Sequence, residues 1–147
     1  MVYIAYGSNM VEDQMAFRCP EARLIGTGYI TGARLEFYLH ATVERTGAQR
    51  NRVPVAVWDI NSRDEKSLDR YEGFPHYYIK DTWPVRMADG SEIEGMIYLM
   101  KMIRQSPPAQ GYYMGIEDAY RKLGLRSQIN TIMKPALERS LRRGTRW

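Results

Sequence analysis

Two short segments of the sequence contain residues whose types and spacing suit chemistry. The first is Tyr6–Asn9 (YGSN), which follows the apolar run Val2–Ala5 and precedes a stretch with helical spacing. Backbone N–H groups at the start of a helix have no acceptor within it and can bind an anion, and a glycine lets a ligand approach the backbone. Asn9 followed by Glu12 is also typical of a capping box. The segment therefore predicts either an anion-binding loop or a plain turn between strand and helix.

The second segment is RYEGF, in which Glu72 stands at the expected end of a helix. The helix macrodipole disfavours a carboxylate there, and nearby aromatic residues that exclude water would raise its pKa. A raised pKa suits a general base. The alternative is a surface glutamate at a frayed helix end. A glycosidase-like pair with Asp69 is disfavoured, because two carboxylates one turn apart usually face solvent.

The remaining candidate residues point away from metal and thiol chemistry. The two histidines, His40 and His76, are too few and too scattered for a metal site, so no metal is expected. Cys19 is the single cysteine and cannot form an internal disulfide. A nucleophilic thiol needs a nearby base that the sequence does not reveal, so a buried or incidental Cys19 is expected.

The elements that must position these residues are mostly strands. Apolar or alternating segments that predict strands are Val2–Ala5, Ala22–Ile30, Arg34–Val43, Val53–Ile60, Tyr77–Met87 and Glu92–Lys101. Asp89-Gly90 predicts a hairpin turn between the last two. A helix is expected from a capping box at Ser62 and Glu65 to Gly73, with further helices after Gly115. Because the helices surround a mostly antiparallel sheet, the predicted fold class is α+β.

Length and composition predict one domain over residues 1–147, of which 44% are hydrophobic. The apolar runs are shorter than a membrane span and no export signal is present, so a cytoplasmic protein without a membrane partner is expected. Eight of the 21 basic residues lie between Arg121 and Arg146. Nucleic acid is therefore a candidate partner, but a solvated basic face of a terminal helix is favoured and no nucleic-acid signature accompanies it.

Four segments together resemble the γ-glutamylcyclotransferase family, including its AIG2-like and γ-glutamylamine branches. They are AYGSNM, SLDRYEG, MIYLM and SPPAQGYYMGIEDAYRKLGL, and the likeness spans nearly the whole chain. The resemblance implies a mostly antiparallel sheet or barrel with surrounding helices, and Glu72 as the catalytic acid/base. The substrate-binding residues that it implies are Tyr6, Gly7, Ser8, Asn9, Tyr78 or its neighbour Tyr77, Tyr98 and Tyr112.

The resemblance implies a reaction that needs no cofactor. A small γ-glutamyl substrate carries its own nucleophile, the α-amine, so a pocket that folds it onto the γ-carbonyl yields 5-oxoproline and an amine. Many family members have a glycine near Val55 or Ala56, where side chains are expected to narrow the pocket. A non-catalytic protein of the same fold that binds a ligand or nucleic acid through its basic C-terminal helix is the alternative.

Overall fold

The computed structural model describes residues 1–101 and 104–144, which form seven strands and four α-helices. The strands are β1 (Val2–Ala5), β2 (Arg23–Thr31), β3 (Ala33–Tyr38), β4 (His40–Arg45), β5 (Arg52–Asp59), β6 (Tyr78–Met87) and β7 (Glu92–Met100). The helices are α1 (Glu12–Arg18), α2 (Ser62–Glu72), α3 (Gln110–Lys122) and α4 (Lys134–Gly144). A 3₁₀ turn at Ser8–Met10 precedes α1, and a π-helical segment at Ile129–Met133 precedes α4.

Five strands close into a barrel in the order β1-β5-β2-β6-β7, while β3 and β4 form a separate two-stranded sheet. The barrel pairs are antiparallel except for β1 with β7, where Tyr3 pairs with Met96. Alternating side chains of the strands fill the barrel, and Val53, Val55 and Val57 are fully buried. The predicted α+β class is confirmed. None of the helices within the described residues is long and apolar enough to cross a membrane.

Two turns show where local sequence chemistry sets the chain path. The predicted hairpin between β6 and β7 is present, with Gly90 at a φ of 91°. The single strand predicted over Arg34–Val43 is instead a hairpin, in which Tyr38 pairs with His40 across Leu39 at a φ of 70°. The prediction of a continuous strand was wrong because an apolar run does not reveal a one-residue turn. The turn places His40 at the start of β4.

The capping box of helix α2 lies one residue earlier than predicted, and Ser62 is the first residue of the helix. The box is formed by Asn61 and Asp64: the backbone N–H of Asp64 donates to Asn61 Oδ1 at 2.9 Å, and that of Asn61 donates to Asp64 Oδ2 at 3.1 Å. Asparagine caps as well as serine, which shifts the frame by one residue. Glu65 is therefore free to pair with Lys80 at 2.8 Å. Gly73 ends the helix at a φ of 64°, as predicted.

The terminal helix α4 is held to β3 by a buried ion cluster. The Glu36 carboxylate, 2% exposed, accepts hydrogen bonds from Arg139 Nε at 2.8 Å, from Arg34 Nε at 2.7 Å and from Gln105. Arg139 also donates to the Leu35 carbonyl at 2.9 Å. The predicted helix is confirmed, but the prediction of a solvated basic face was wrong for Arg139. Arg146, the last basic residue of that segment, lies outside the described residues.

Replacing Arg139 by Glu should lower the free energy of unfolding by about 3–5 kcal/mol, because it removes one of the two guanidinium partners of the buried Glu36 and sets a second carboxylate against it. Urea denaturation measures the change. The matched control is Arg126→Glu, an exposed site on the segment before α4, for which a change within about 0.5 kcal/mol is expected. Equal losses in the two variants would contradict a structural role for the Arg139 ion pair.

Candidate active site

A pocket with a volume of about 160 Å³ lies where β1 passes into the loop before α1. All eight residues that the sequence analysis assigned to catalysis or substrate binding line the pocket. The lining also includes Tyr3, Ile4, His40, Ala41, Tyr71 and Tyr77. The fold therefore brings together residues that are up to about a hundred positions apart in the chain.

Gly7 sits in the loop at a φ of −124°, so its backbone does not need the positive φ that favours glycine. A Cβ at this position would meet the Tyr112 hydroxyl at 3.3 Å and Ala41 Cβ at 3.4 Å. A side chain here would therefore require α3 or β4 to move by a few tenths of an ångström. Within the described residues, the backbone N–H groups of Gly7, Ser8 and Asn9 have no acceptor. They are free to bind an oxygen anion in the pocket.

The Asn9 side chain does not cap α1, because that helix begins at Glu12 with Val11 before it and no side-chain cap. Its amide nitrogen donates to the Tyr3 hydroxyl at 2.8 Å and to Glu72 Oε1 at 3.3 Å, and its amide oxygen accepts from Arg18. Asn9 is 3% exposed. Its side chain is therefore fully bonded to protein groups, and only its backbone N–H is left for a ligand.

Glu72 is half-buried at the end of α2, directly before Gly73. Burial raises the pKa of its carboxyl from 4.5 to about 7, and the positive charge of Arg18 acts in the opposite direction. The Arg18 guanidinium lies 3.3 Å from the centre of the Tyr71 ring, which holds it near the pocket. Near neutral pH both the acid and the carboxylate forms of Glu72 are populated, as a residue that takes and returns protons requires.

Two pocket tyrosines are anchored on the backbone of Ala41 in β4. The Tyr78 hydroxyl donates to the Ala41 carbonyl at 2.8 Å, and the Ala41 N–H donates to the Tyr112 hydroxyl at 3.0 Å. Burial raises the pKa of both tyrosines, so both hydroxyls are neutral near pH 7. In the part of the chain that the structure describes, the Tyr112 hydroxyl proton has no acceptor. It is a donor available to a ligand beside Gly7.

Two further tyrosines brace the pocket wall. The Tyr6 hydroxyl donates to the Tyr98 carbonyl at 2.5 Å, and the Tyr98 hydroxyl donates to Asp69 at 2.6 Å. Asp69 also pairs with Lys80 at 2.9 Å and does not line the pocket. The paired-carboxylate site that the sequence disfavoured is therefore not formed, because Asp69 is bonded to Tyr98 and Lys80 outside the pocket. Tyr6 and Tyr98 line the pocket with rings whose hydroxyls already have protein partners.

His40 is a pocket residue that the sequence analysis did not identify. Its Nδ1 lies 2.9 Å from the Tyr77 hydroxyl, and its ring meets the Tyr112 ring edge-on at 5.1 Å. Burial lowers the pKa of His40, which keeps the imidazole neutral near pH 7. Only the hairpin turn at Leu39 brings it to the pocket, so no spacing in the sequence reveals it.

Three other sequence-based expectations concern residues outside the pocket. Val55 and Ala56 are fully buried in the barrel and do not line the pocket, so the expected narrowing was wrong. Cys19 is buried, as expected, and burial raises its pKa to about 11, which makes its thiol unreactive. Across residues 1–101 and 104–144, no three His, Cys, Asp or Glu side chains are grouped to hold a metal ion.

Comparison with known proteins finds one family and a common fold. Residues 3–117 match the family model described as gamma-glutamyl cyclotransferase, AIG2-like. A human gamma-glutamylcyclotransferase is 27% identical over 124 residues, which cover 76% of this chain and 65% of that protein's length. Less than two thirds of this curated relative is therefore matched by the chain.

Solved structures share the fold. A gamma-glutamyl cyclotransferase superposes with a TM-score of 0.80 at 24% identity, covering 89% of this chain and 86% of that one. YkqA from Bacillus subtilis gives a TM-score of 0.69 at 19% identity, covering 90% of this chain and 55% of YkqA. An AIG2-like protein from Mus musculus gives 0.57 at 13% identity, covering 76% and 80%.

Gly7→Val should lower the free energy of unfolding by about 1–3 kcal/mol, because its side chain overlaps the Tyr112 hydroxyl and Ala41. Urea denaturation measures the loss. The control is Gly115→Val in α3, where an added Cβ meets nothing within 4 Å, and a change within about 0.5 kcal/mol is expected. A Gly7→Val protein as stable as the wild type would show that the loop tolerates a side chain.

As pH rises, the free energy of unfolding of the wild type should fall relative to that of the Glu72→Gln variant. The folded-state pKa of about 7 exceeds the usual 4.5, so the stabilising contribution of the protonated form is complete below pH 4.5 and is lost as pH rises through 7. The difference should be of the order of 1–3 kcal/mol. Melting temperatures of both proteins between about pH 4.5 and about pH 8 test this, and a difference independent of pH would contradict the raised pKa.

Proposed function

Since this chain belongs to the AIG2-like gamma-glutamyl cyclotransferase family, we propose that it catalyses the intramolecular cyclisation of a γ-glutamyl compound. The products are 5-oxoproline and a free amine or amino compound. The observation that carries the proposal is the position of Glu72, a carboxyl with a pKa of about 7, in the same small pocket as three backbone N–H groups that have no acceptor within the described residues. These are a proton carrier and an anion site, the two groups that this cyclisation needs.

Positioning supplies much of the rate in this reaction. The α-amine and the γ-carbonyl belong to one molecule, so a pocket that folds the chain between them converts binding energy into proximity, worth about 10⁵–10⁸ M in effective molarity. The rigid tyrosine walls suit this role, since Tyr78 and Tyr98 are fixed by hydrogen bonds to Ala41 and Asp69. No nucleophilic side chain and no cofactor enters the scheme.

Glu72 manages the protons. Its carboxylate takes a proton from the substrate ammonium, and the freed amine attacks the γ-carbonyl carbon to form a ring with an oxyanion. Glu72 returns the proton to the departing nitrogen as the C–N bond breaks, and the second ammonium proton follows the same route. The lactam nitrogen keeps one hydrogen and the product amine leaves as an ammonium. A pKa near 7 allows both transfers near neutral pH.

The loop and Tyr112 provide the anion site. The N–H groups of Gly7, Ser8 and Asn9 and the Tyr112 hydroxyl proton are neutral donors, suited to the substrate carboxylate or to the oxyanion. Because these donors are uncharged, they stabilise a negative charge on the substrate without lowering the pKa of Glu72. The proposed partner is a small γ-glutamyl substrate. A single Cys19, which cannot form an internal disulfide, suits the reducing cytoplasm that we propose as its location.

Glu72→Gln keeps the shape of the side chain but removes its ability to accept a proton. Release of 5-oxoproline should fall by at least about a hundredfold, with a much smaller change in KM. The assay uses a panel of γ-glutamyl amines, γ-glutamyl dipeptides and glutathione. The wild-type rate should rise with pH up to about 7, because the base must be ionised, and the variant should lack this limb.

The matched control is Glu65→Gln on the same helix. Glu65 pairs with Lys80 at 2.8 Å and does not line the pocket, so its variant should keep activity within about threefold. A Glu72→Gln protein that retained activity within about tenfold would contradict the proton-transfer role. A wild type inactive on the whole panel would contradict the proposed reaction.

A further inference from the structure

A second cavity, with a volume of about 440 Å³, lies between β3, the turn before β5 and the C-terminal helical region. It shares no lining residue with the first pocket. Four arginines line it: Arg34, Arg50, Arg52 and Arg139. Among the described residues that line it, none is Asp or Glu. The cavity is thus a concave surface with a strong excess of positive charge.

The buried Glu36 compensates only part of this charge. Four guanidinium groups against one carboxylate leave three positive charges, and both oxygens of Glu36 are already bonded to Arg34, Arg139 and Gln105. Arg34 uses only its Nε in this contact, so its terminal N–H groups have no partner among the residues that the structure describes. Its guanidinium retains donors that an external anion can accept.

Arg50 and Arg52 are exposed and form no ion pair within residues 1–101 and 104–144. The Arg52 guanidinium lies 4.5 Å from the centre of the Tyr29 ring, and the Tyr29 hydroxyl accepts from Gln128 at 3.0 Å. Stacking on Tyr29 limits the positions that Arg52 can adopt, so its guanidinium is partly preorganised to bind an anion. A preorganised guanidinium binds a bidentate anion at a lower entropic cost.

The far wall of the cavity adds uncharged donors. Ser127, Gln128 and Thr131 line it. Ser127 and Gln128 directly precede the π-helical segment Ile129–Met133, and Thr131 lies within it. π-helical segments are rare in proteins, and many of those that occur lie at functional sites. Hydroxyl and amide groups opposite a set of arginines give an anion contacts on more than one side, which a flat charged helix face does not offer.

We propose that this cavity binds a small anion with a diphosphate or triphosphate group. Three uncompensated positive charges around one concavity match an anion of several charges, and the planar guanidinium fork binds two phosphate oxygens at once. The site is separate from the γ-glutamyl pocket, so the proposal does not rest on the proposed reaction.

Titration calorimetry of the full chain with inorganic pyrophosphate and tripolyphosphate tests the proposal at about 50 mM and about 200 mM NaCl. We expect a Kd below about 1 mM at the lower salt, tighter for tripolyphosphate. Arg50→Gln combined with Arg52→Gln should weaken binding by at least about tenfold. Both side chains are exposed, so the melting temperature should be unchanged.

The matched control is Arg63→Gln, an 84% exposed arginine on α2 outside this cavity, which should bind pyrophosphate as the wild type does. Glu72→Gln should also bind it normally, which separates this test from that of the cyclisation. No binding below about 1 mM, or no loss in the Arg50 and Arg52 variant, overturns the proposal.

Two competing ligands complete the test. Citrate that binds as tightly as pyrophosphate would assign the cavity to carboxylates and overturn the phosphate class. Single-stranded RNA that binds without being displaced by tripolyphosphate would show a charged surface in place of a small-anion site, and would also overturn it. Displacement of tripolyphosphate by pyrophosphate with no competition from citrate is the expected result.

Discussion

The candidate active site depends on the buried amide of Asn9. One nitrogen serves Tyr3 and Glu72, and the oxygen accepts from Arg18, so the loop, α1, α2 and β1 meet at a single side chain. The backbone carbonyl of Asn9 is held in turn by Trp58 Nε1 at 3.1 Å. Leaving a buried polar group without its partner costs about 1–3 kcal/mol of stability. Displacing any one of these elements would leave Asn9 with an unbonded atom, so their positions depend on one another. The loop N–H groups and the Glu72 carboxyl are placed by the same network.

The two cavities differ in the kind of donor that they present. The described lining of the first pocket contains no Lys or Arg and offers backbone N–H groups and neutral tyrosine hydroxyls beside Glu72. The second is lined by arginines. A cation inside the first pocket would stabilise the Glu72 carboxylate and lower the raised pKa on which the proposed proton transfers depend. Arg18 acts on Glu72 from a position stacked on Tyr71, so its effect is partial.

Much of the architecture followed from local sequence. Most strand segments, the Asp89-Gly90 turn and the Gly73 helix end were predicted because period-two patterns and positive-φ residues act over a few neighbouring positions. The unusual position of Glu72 was also visible, since a carboxylate at a helix end among aromatic residues is locally unfavourable. The family resemblance brought the pocket tyrosines into the list of candidate residues. The pocket in the structure contains all of them.

The sequence by itself therefore determined the elements and the types of reactive group, whereas the tertiary structure decided which groups meet. Asn9 was expected to cap a helix but is bonded to Glu72, 63 positions away. Gly7 was expected to let a ligand approach the backbone, and in the structure it also makes room for Tyr112. Arg139 was expected in solvent but neutralises a buried Glu36 on β3. In each case the residue contacted is distant in sequence. A buried polar group must bond to a partner that packing brings to it, and no local pattern in the sequence encodes that partner.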